Sequence, residues 1–337
     1  MTARDAHRRE APLCLALVVP CYNEEAVLGE TIARLCAVMS RLHADGKIRD
    51  DSRIYFVDDG SRDRTWAIID EACRAQTWVA GIKLARNHGH QHALLAGLFT
   101  ARGDAAISLD ADLQDDVNAI FEMVDRYLDG ADIVYGVRRR RDMDSVFKRS
   151  SARGFYRIMR ALGVRLINDH ADYRLLSRRA LEALKAFREV NLFLRGIIPL
   201  LGFPTATVYY DRGERHAGES KYPLRRMLSF AFDGVTSFSN FPLRMITALG
   251  FTVFVFALAC SVWILYVALL TDRAVPGWAS TALPMYLLGG IQLLCLGVMG
   301  EYIGKLYSEV KARPRFIIET LIDTGQPAVA HRDAHDD

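Results

Sequence analysis

Residues 105–116 read Ala-Ala-Ile-Ser-Leu-Asp-Ala-Asp-Leu-Gln-Asp-Asp, a short apolar run that stops at Asp110 and is followed by a second carboxylate, Asp112. A brief apolar run closed by polar groups predicts a buried strand whose carboxyl end carries acids. Two carboxylates at such a place repel each other unless a cation or hydrogen-bond donors compensate them. Magnesium or manganese takes oxygen ligands and could bridge such a pair to a diphosphate. The alternative is helix capping at a strand-to-helix turn. The same spacing recurs at Asp142 and Asp144, but there it follows the basic run Arg138–Arg141 and no strand, so it is expected to be a solvated loop.

Working outward, the chain repeats one pattern. Leu13–Pro20, Arg53–Val57, Val79–Leu84, Ala105–Leu109 and Ile133–Val137 are apolar or β-branched runs that predict strands. Helical spacing is found over Ala26–Leu42, Thr65–Ala75, Gly89–Ala101 and Asp116–Leu128. Strand alternating with helix implies right-handed βαβ units and a mostly parallel, Rossmann-like α/β sheet. Ligands of such sheets bind beyond the carboxyl ends of the strands. Those ends gather polar groups here: Tyr22, Asn23 and Glu24 after Pro20, then Asp58 and Asp59, then Arg86, then Asp110, Asp112 and Gln114. Asp58 and Asp59 either cap the following helix or accept hydrogen bonds from a base or ribose. Arg86 suits the charge of a diphosphate. His88, His90 and His92 do not form a convincing metal set and read as surface or core groups.

Composition over the 337 residues is ordinary for a globular protein, 51% apolar and 25% charged, and the net charge of +3 is too small to argue for nucleic acid. The charges are unevenly spread. Met245–Leu270 and Ala274–Gly300 contain none, and each run exceeds the roughly 20 residues that cross a bilayer as a helix. Arg225, Arg226 and Arg244 lie before the first run; Lys305, Lys311, Arg313 and Arg315 follow the second. Basic residues stay cytoplasmic, so both ends of this hairpin are expected in the cytoplasm. Residues 222–244 mix arginines with phenylalanines, as an interfacial helix does. The segment 191–203 is apolar but too short to span, and is expected at the bilayer surface or in a core. Six scattered cysteines without a paired spacing suggest reduced packing rather than disulfides or zinc. The expected organisation is a flexible stretch 1–12, a catalytic domain 13–221, interfacial helices 222–244, membrane helices 245–270 and 274–300, a cytoplasmic segment 301–320 and a disordered tail 321–337.

Six motifs occur in order: VVPCYNEE (18–25), FVDDGSRDRT (56–65), KLARNHGHQHALLAGL (83–98), SLDADLQDD (108–116), NDHADYRLLSR (168–178) and RHAGESKYPLRR (215–226). They resemble the family-2 glycosyltransferases that act on polyprenyl phosphates, and the resemblance runs from about Leu13 to Ile318. It implies a GT-A catalytic domain, a nucleotide-sugar donor, a polyprenyl phosphate acceptor such as undecaprenyl phosphate, and a divalent cation, Mg²⁺ or Mn²⁺. Pro20, Tyr22, Asn23, Glu24 and Asp59 would hold the nucleoside, with Lys83 or Arg86 near the base or diphosphate. Asp110 would touch the sugar or ribose, and Asp112 with Gln114 would hold the metal. Asp172 falls where the family has its proposed catalytic aspartate, although Ala171 and Tyr173 depart from the commoner Gly-Asp-Phe-Arg pattern. Arg215, Ser220 and Lys221 lie in a glycine-containing loop that would close over phosphates. Arg138 and Arg141 are candidates for drawing in the acceptor phosphate, with solvated surface charge as the alternative.

Other readings fit less well. A processive polysaccharide synthase would carry a Gln-x-x-Arg-Trp motif and more membrane helices; a P-loop ATPase would carry Gly-x-x-x-x-Gly-Lys-[Ser/Thr]. Neither motif occurs. A non-enzymatic membrane adaptor on a decayed transferase fold predicts losses among the acidic strand ends, and none is seen. The resemblance also allows a homo-oligomer.

Overall fold

Seven consecutive buried residues, Leu15–Cys21, form strand β1 near the middle of an eight-stranded sheet. The computed structural model describes residues 9–139, 170–187, 194–211, 278–311 and 313–323, with isolated positions between 246 and 259. The elements that follow β1 are α1 (Leu28–Ala44), β2 (Arg53–Asp58), α2 (Thr65–Ala75), β3 (Val79–Leu84), α3 (His90–Thr100), β4 (Ala105–Ser108), α4 (Ala119–Leu128) and β5 (Ile133–Arg138). Then come β6 (His170–Ser177), α5 (Arg178–Lys185), the short α6 (Leu194–Ile197) with a 3₁₀ turn to Leu201, β7 (Thr205–Tyr210), α7 (Trp278–Val310) and β8 (Ile318–Ile322). Every strand and helix expected up to residue 138 is present, with small shifts at the ends; α2 and β3 have the expected bounds.

Strand order is β7-β5-β6-β4-β1-β2-β3-β8. The stretch β4-β1-β2-β3 is parallel throughout. Its strands are buried on both faces, which is why they read as continuous apolar runs rather than alternating ones. The chain winds from β1 through β2 to β3 on one side and returns to β4 on the other, so the topology switches direction between β1 and β4. Crevices for ligands open at such a switch, outside the carboxyl ends.

Helix α1 buries Leu28, Thr31, Ile32, Leu35, Val38, Met39 and Leu42, the 3–4 residue spacing of one helical stripe. Helix α3 differs: Ala93–Leu98 are all buried, so it is enclosed rather than half-exposed. It lies close to the sheet because Gly97 has no side chain. A Cβ there would stand 2.3 Å from Val18 Cγ1 and 2.8 Å from Val57 Cγ2.

Three strands go beyond the expected pattern. Strand β6 is inserted antiparallel between β4 and β5, β7 runs parallel to β5, and β8 lies antiparallel beside β3 at the sheet edge. Strand β8 comes from the end of the segment expected as a cytoplasmic extension, and with residues 314–323 it belongs to the unit built on the sheet; α7 belongs to a second unit. Leu194, Ile197 and Ile198 are buried, so that part of 191–203 packs in a core. Arg9, in the stretch expected to be flexible, donates to the Tyr127 carbonyl and pairs with Asp132 at 2.7 Å. The Asp142–Asp144 loop and the interfacial segment 222–244 lie outside the described residues. Among the residues described, no helix is long and apolar enough to cross a membrane.

The packing of α3 yields a test. Gly97→Ala gains about 1 kcal/mol of helix propensity but overpacks against two fully buried valines, which costs about 1–3 kcal/mol. The expected net effect is a loss of up to about 2 kcal/mol, read as a lower denaturant midpoint.

Candidate active site

The loops at the carboxyl ends of β1, β2 and β3 are stapled to one another by side chains accepting from backbone. Asn23 adopts a positive φ of 55°, its N–H donates to Ser61 Oγ at 3.0 Å, and its Oδ1 accepts from Arg62 N at 2.9 Å. The Glu24 N–H donates to Thr65 Oγ1 at 2.9 Å, and Glu25 Oε2 accepts from Arg64 N at 3.0 Å. Asp58, fully buried, accepts from Ser61 N at 3.2 Å. Asp59, 2% exposed, accepts from His88 N at 2.7 Å and Gly89 N at 2.9 Å. Burial pushes both carboxyls up, and in each case these hydrogen bonds oppose the push. Gly60 makes the approach possible: at φ 68°, a Cβ would lie 2.6 Å from backbone atoms of Arg86 and Asn87.

Strand β6 supplies the second half of the site. Its register pairs Ser108 with Arg174, so continuing two residues outward sets Asp110 opposite Asp172. Asp172 is nearly buried and surrounded by positive groups. Arg174 Nη2 bonds its Oδ1, Arg195 Nη2 lies 3.3 Å from its Oδ2, and His90 Nε2 lies 3.6 Å from Oδ2. Burial alone would raise this carboxyl, but the nearby His90 imidazole and the charges of Arg174 and Arg195 hold it well below the usual carboxylate range. His90 is correspondingly raised, chiefly by its bond to Asp172. Arg174 is 1% exposed, and burial lowers it despite that partner.

Asp110 behaves in the opposite way. Its Oδ1 is buried without a hydrogen-bond partner, and His90 Nε2 stands 3.6 Å away. Burial first, then the like charges of Asp115, Asp172 and Asp112, push its carboxyl up to about 6 against the pull of His90. Asp112, partly exposed, accepts from Gln114 N at 3.2 Å, and Gln114 is buried beside it. A third group lies on the β5 side. Asp115 accepts from Arg138 Nη2 at 3.0 Å and from Tyr210 Oη at 2.6 Å. Tyr173 stacks edge-on against Tyr210 with centroids 5.2 Å apart.

These observations define a polar rim at the switch point, with hard oxygen donors. Among the described residues no three His, Cys, Asp or Glu groups are arranged to hold a metal ion. The donors fit a hard cation that keeps part of its shell for ligand oxygens, and the orphaned Asp110 Oδ1 fits it too. A family model described as "Glycosyl transferase family 2" matches residues 16–185, half of the chain. The chain belongs to glycosyl transferase family 2. An uncharacterized glycosyltransferase, YkoT of Bacillus subtilis, is 51% identical over 307 residues, spanning 90% of this chain and 91% of its own. A prophage bactoprenol glucosyl transferase homolog of Escherichia coli is 36% identical, covering 91% of this chain and 99% of its own. The bactoprenol glucosyl transferase of Shigella phage SfII is 37% identical over 90% of this chain and 97% of its own.

In this transferase the sequence-predicted acids converge: Asp110 and Asp172 share His90, and Asp59 braces the two residues before it. Pro20 is buried in β1 and Tyr22 is 43% exposed at its end. Arg86 is exposed at the end of β3. Lys83 pairs with Glu319 of β8 at 2.9 Å, and Arg138 is held by Asp115. Arg141, Arg215, Ser220 and Lys221 lie outside the described residues. Sequence reasoning passed over three contributors. They are His90, which the sequence groups with His88 and His92 as a surface or core histidine, Arg195, which lies within the apolar segment 191–203, and Arg174, which lies in the NDHADYRLLSR motif. The signal for His90 was its place, directly after a glycine at the start of a helix that follows a strand end.

Asp110 gives a pH-dependent test. A carboxyl raised on folding costs stability once it ionises, so its cost is absent below about pH 4 and complete above about pH 6. In chelator, Asp110→Asn is expected to be more stable than the parent by about 1 kcal/mol at pH 7.5, discounted for a side chain 37% exposed. That gain should vanish as pH falls below about 4; a gain independent of pH would contradict the assignment.

Proposed function

We propose that this glycosyltransferase moves a sugar, glucose by likeness to the bactoprenol glucosyl transferases, from a UDP-linked nucleotide-sugar to a polyprenyl phosphate at the cytoplasmic face of a membrane. The observation that carries the reading is the shared bridge of His90 between Asp110 and Asp172, beside the stapled loops of β1, β2 and β3. Support for the acceptor comes from relatives named for bactoprenol that match nearly end to end.

The residues divide by chemistry. Tyr22, Asn23, Glu24 and Arg86 are proposed to face the nucleoside and its diphosphate, with the buried Asp58 and Asp59 bracing the loops that carry them. Asp112 and Gln114, with Asp110, would hold Mg²⁺ or Mn²⁺, which when bound supplies Lewis-acid relief of the charge on a departing diphosphate. Arg138, Arg141, Arg215, Ser220 and Lys221 are proposed to draw in the acceptor phosphate. A phosphate monoester has its second pKa near 6, so its oxygen is already ionised and needs no general base. Asp172, held ionised by Arg174 and Arg195 with His90 beside it, is a poor proton acceptor and a good fixed negative charge beside a sugar ring that becomes positive. Direct displacement by the phosphate oxygen inverts the anomeric centre.

A membrane hairpin at 245–270 and 274–300 is part of the proposal. Helix α7, 33 residues and about 50 Å long, covers most of the second run. It exposes Met285, Leu296, Met299 and Ile303, apolar surface that a lipid environment would cover.

The test is transfer of radiolabelled sugar from a panel of nucleotide-sugars to membranes containing undecaprenyl phosphate. Label is expected in organic-extractable lipid, and Asp112→Asn should reduce metal-dependent transfer by at least about 100-fold with the fold intact. Label confined to water-soluble products would remove the lipid acceptor; full activity of Asp112→Asn at saturating metal would remove its catalytic role.

A further inference from the structure

We infer that His90 is a positioning residue, whose imidazole sits between Asp110 and Asp172 and holds these two carboxylates in the mutual arrangement that transfer requires. This rests on the transferase reading above. It assigns work to a side chain that the family motifs leave without a role.

Three features fix where His90 stands. Asp59 takes the N–H groups of His88 and Gly89 with its two oxygens, which pins the turn immediately before it. Gly89 then adopts a φ of 91°, and its carbonyl accepts from His92 N and Ala93 N, starting the first turn of α3 with His90 as its first residue. The rest of α3 cannot shift, because Ala93–Leu98 are enclosed and Gly97 lies against Val18 and Val57. From this anchored position His90 Nε2 reaches 3.6 Å from Asp110 Oδ1 and 3.6 Å from Asp172 Oδ2.

The two carboxylates are not equally provided for. Asp172 also has Arg174 and Arg195. Among the described residues, His90 is the one basic side chain paired with Asp110, whose Oδ1 is otherwise buried and unpartnered. Register places Asp110 opposite Asp172 on adjoining strands, so without the imidazole like charges face each other across that gap. Most single surface ion pairs contribute little. This one joins a nearly buried acid to a partly buried one from an immobilised helix start, and it therefore sets geometry.

The decisive measurement is a cycle of variants: His90→Gln, Asp172→Asn, and the two together, with His90→Lys as the conservative replacement. His90→Gln is expected to lower kcat about 10- to 100-fold, the cost of losing a residue that orients a reacting group. KM for the nucleotide-sugar and Kd for the free nucleoside diphosphate should stay within about threefold, because the donor loops are held by Asp59 and Asn23. His90→Lys, which restores a hydrogen-bond donor of similar reach, should recover most of the loss and stands as a test even where the glutamine variant folds poorly. The double variant should be no slower than Asp172→Asn alone, since residues acting through one another are not additive. Unchanged kcat in His90→Gln, a loss carried by KM or Kd, no recovery with lysine, or multiplying losses would each overturn the inference. If the parent protein labels no lipid phosphate, the acceptor proposal fails by itself; the same cycle read on donor hydrolysis then decides the role of His90 separately.

Discussion

The antiparallel entry of β6 between β4 and β5 is the constraint on which the site depends. A fully parallel sheet would have left Asp172 at the opposite edge from Asp110. Instead the reversed strand presents its amino end beside the carboxyl end of β4, and the register Ser108–Arg174 carries the two aspartates to facing positions. The arrangement is costly, because Asp172 and Arg174 are both nearly buried in the middle of an apolar sheet. An ion pair in such surroundings loses hydration that its own attraction barely returns. Additional partners tilt the balance: Arg195 and His90 on the acid, and Ser108 Oγ donating to the Asp172 carbonyl. Removing one partner of such a group is far more damaging than never having built it.

Around this centre the donor side is rigid for a different reason. The three loops beyond β1, β2 and β3 spend side-chain acceptors on each other's backbone N–H groups rather than on solvent, and Gly60 allows the second to touch the third. Loops fixed in this way hold reacting groups in place before a substrate arrives, which lowers the ordering cost of the transition state. Tyr22 and Arg86 are among the side chains these loops leave exposed, beside Asn23, Arg62 and Asn87.

The alternating half of the fold was legible because parallel strands buried on both faces write themselves as uninterrupted apolar runs, as in Leu15–Cys21 and Ile54–Val57. The acids at the strand ends were legible for the same reason, each standing where an apolar run stops. Strand β6 was not, since Asp172 and Arg174 interrupt its pattern and their compensation is visible only once partners from α3 and α6 are brought up. Strand β8 escaped notice because it is a short edge strand more than 230 residues from the strand it joins, a pairing that no local pattern encodes. His90 looked like one of three clustered histidines; only the turn at Gly89 separates it from His88, whose side chain has a different environment.

The site holds two carboxylates whose environments drive them apart, and such divergence marks a division of labour. Asp172 gains more from Arg174, Arg195 and His90 than it loses to burial, so its charge persists across the whole working pH range. Asp110 has lost water and gained acidic neighbours, and its charge is tolerated only while something positive is near. Nucleotide-sugar chemistry needs both conditions in one place. A permanent negative charge beside the sugar meets the positive charge that grows on the ring as the bond to the diphosphate lengthens. A strained, cation-hungry carboxylate is stabilised most when a positive partner arrives with the donor, so occupancy of the site relieves the repulsion that the empty fold must carry. On the proposed reading, arrival of a donor with its cation would complete that field before the acceptor is used.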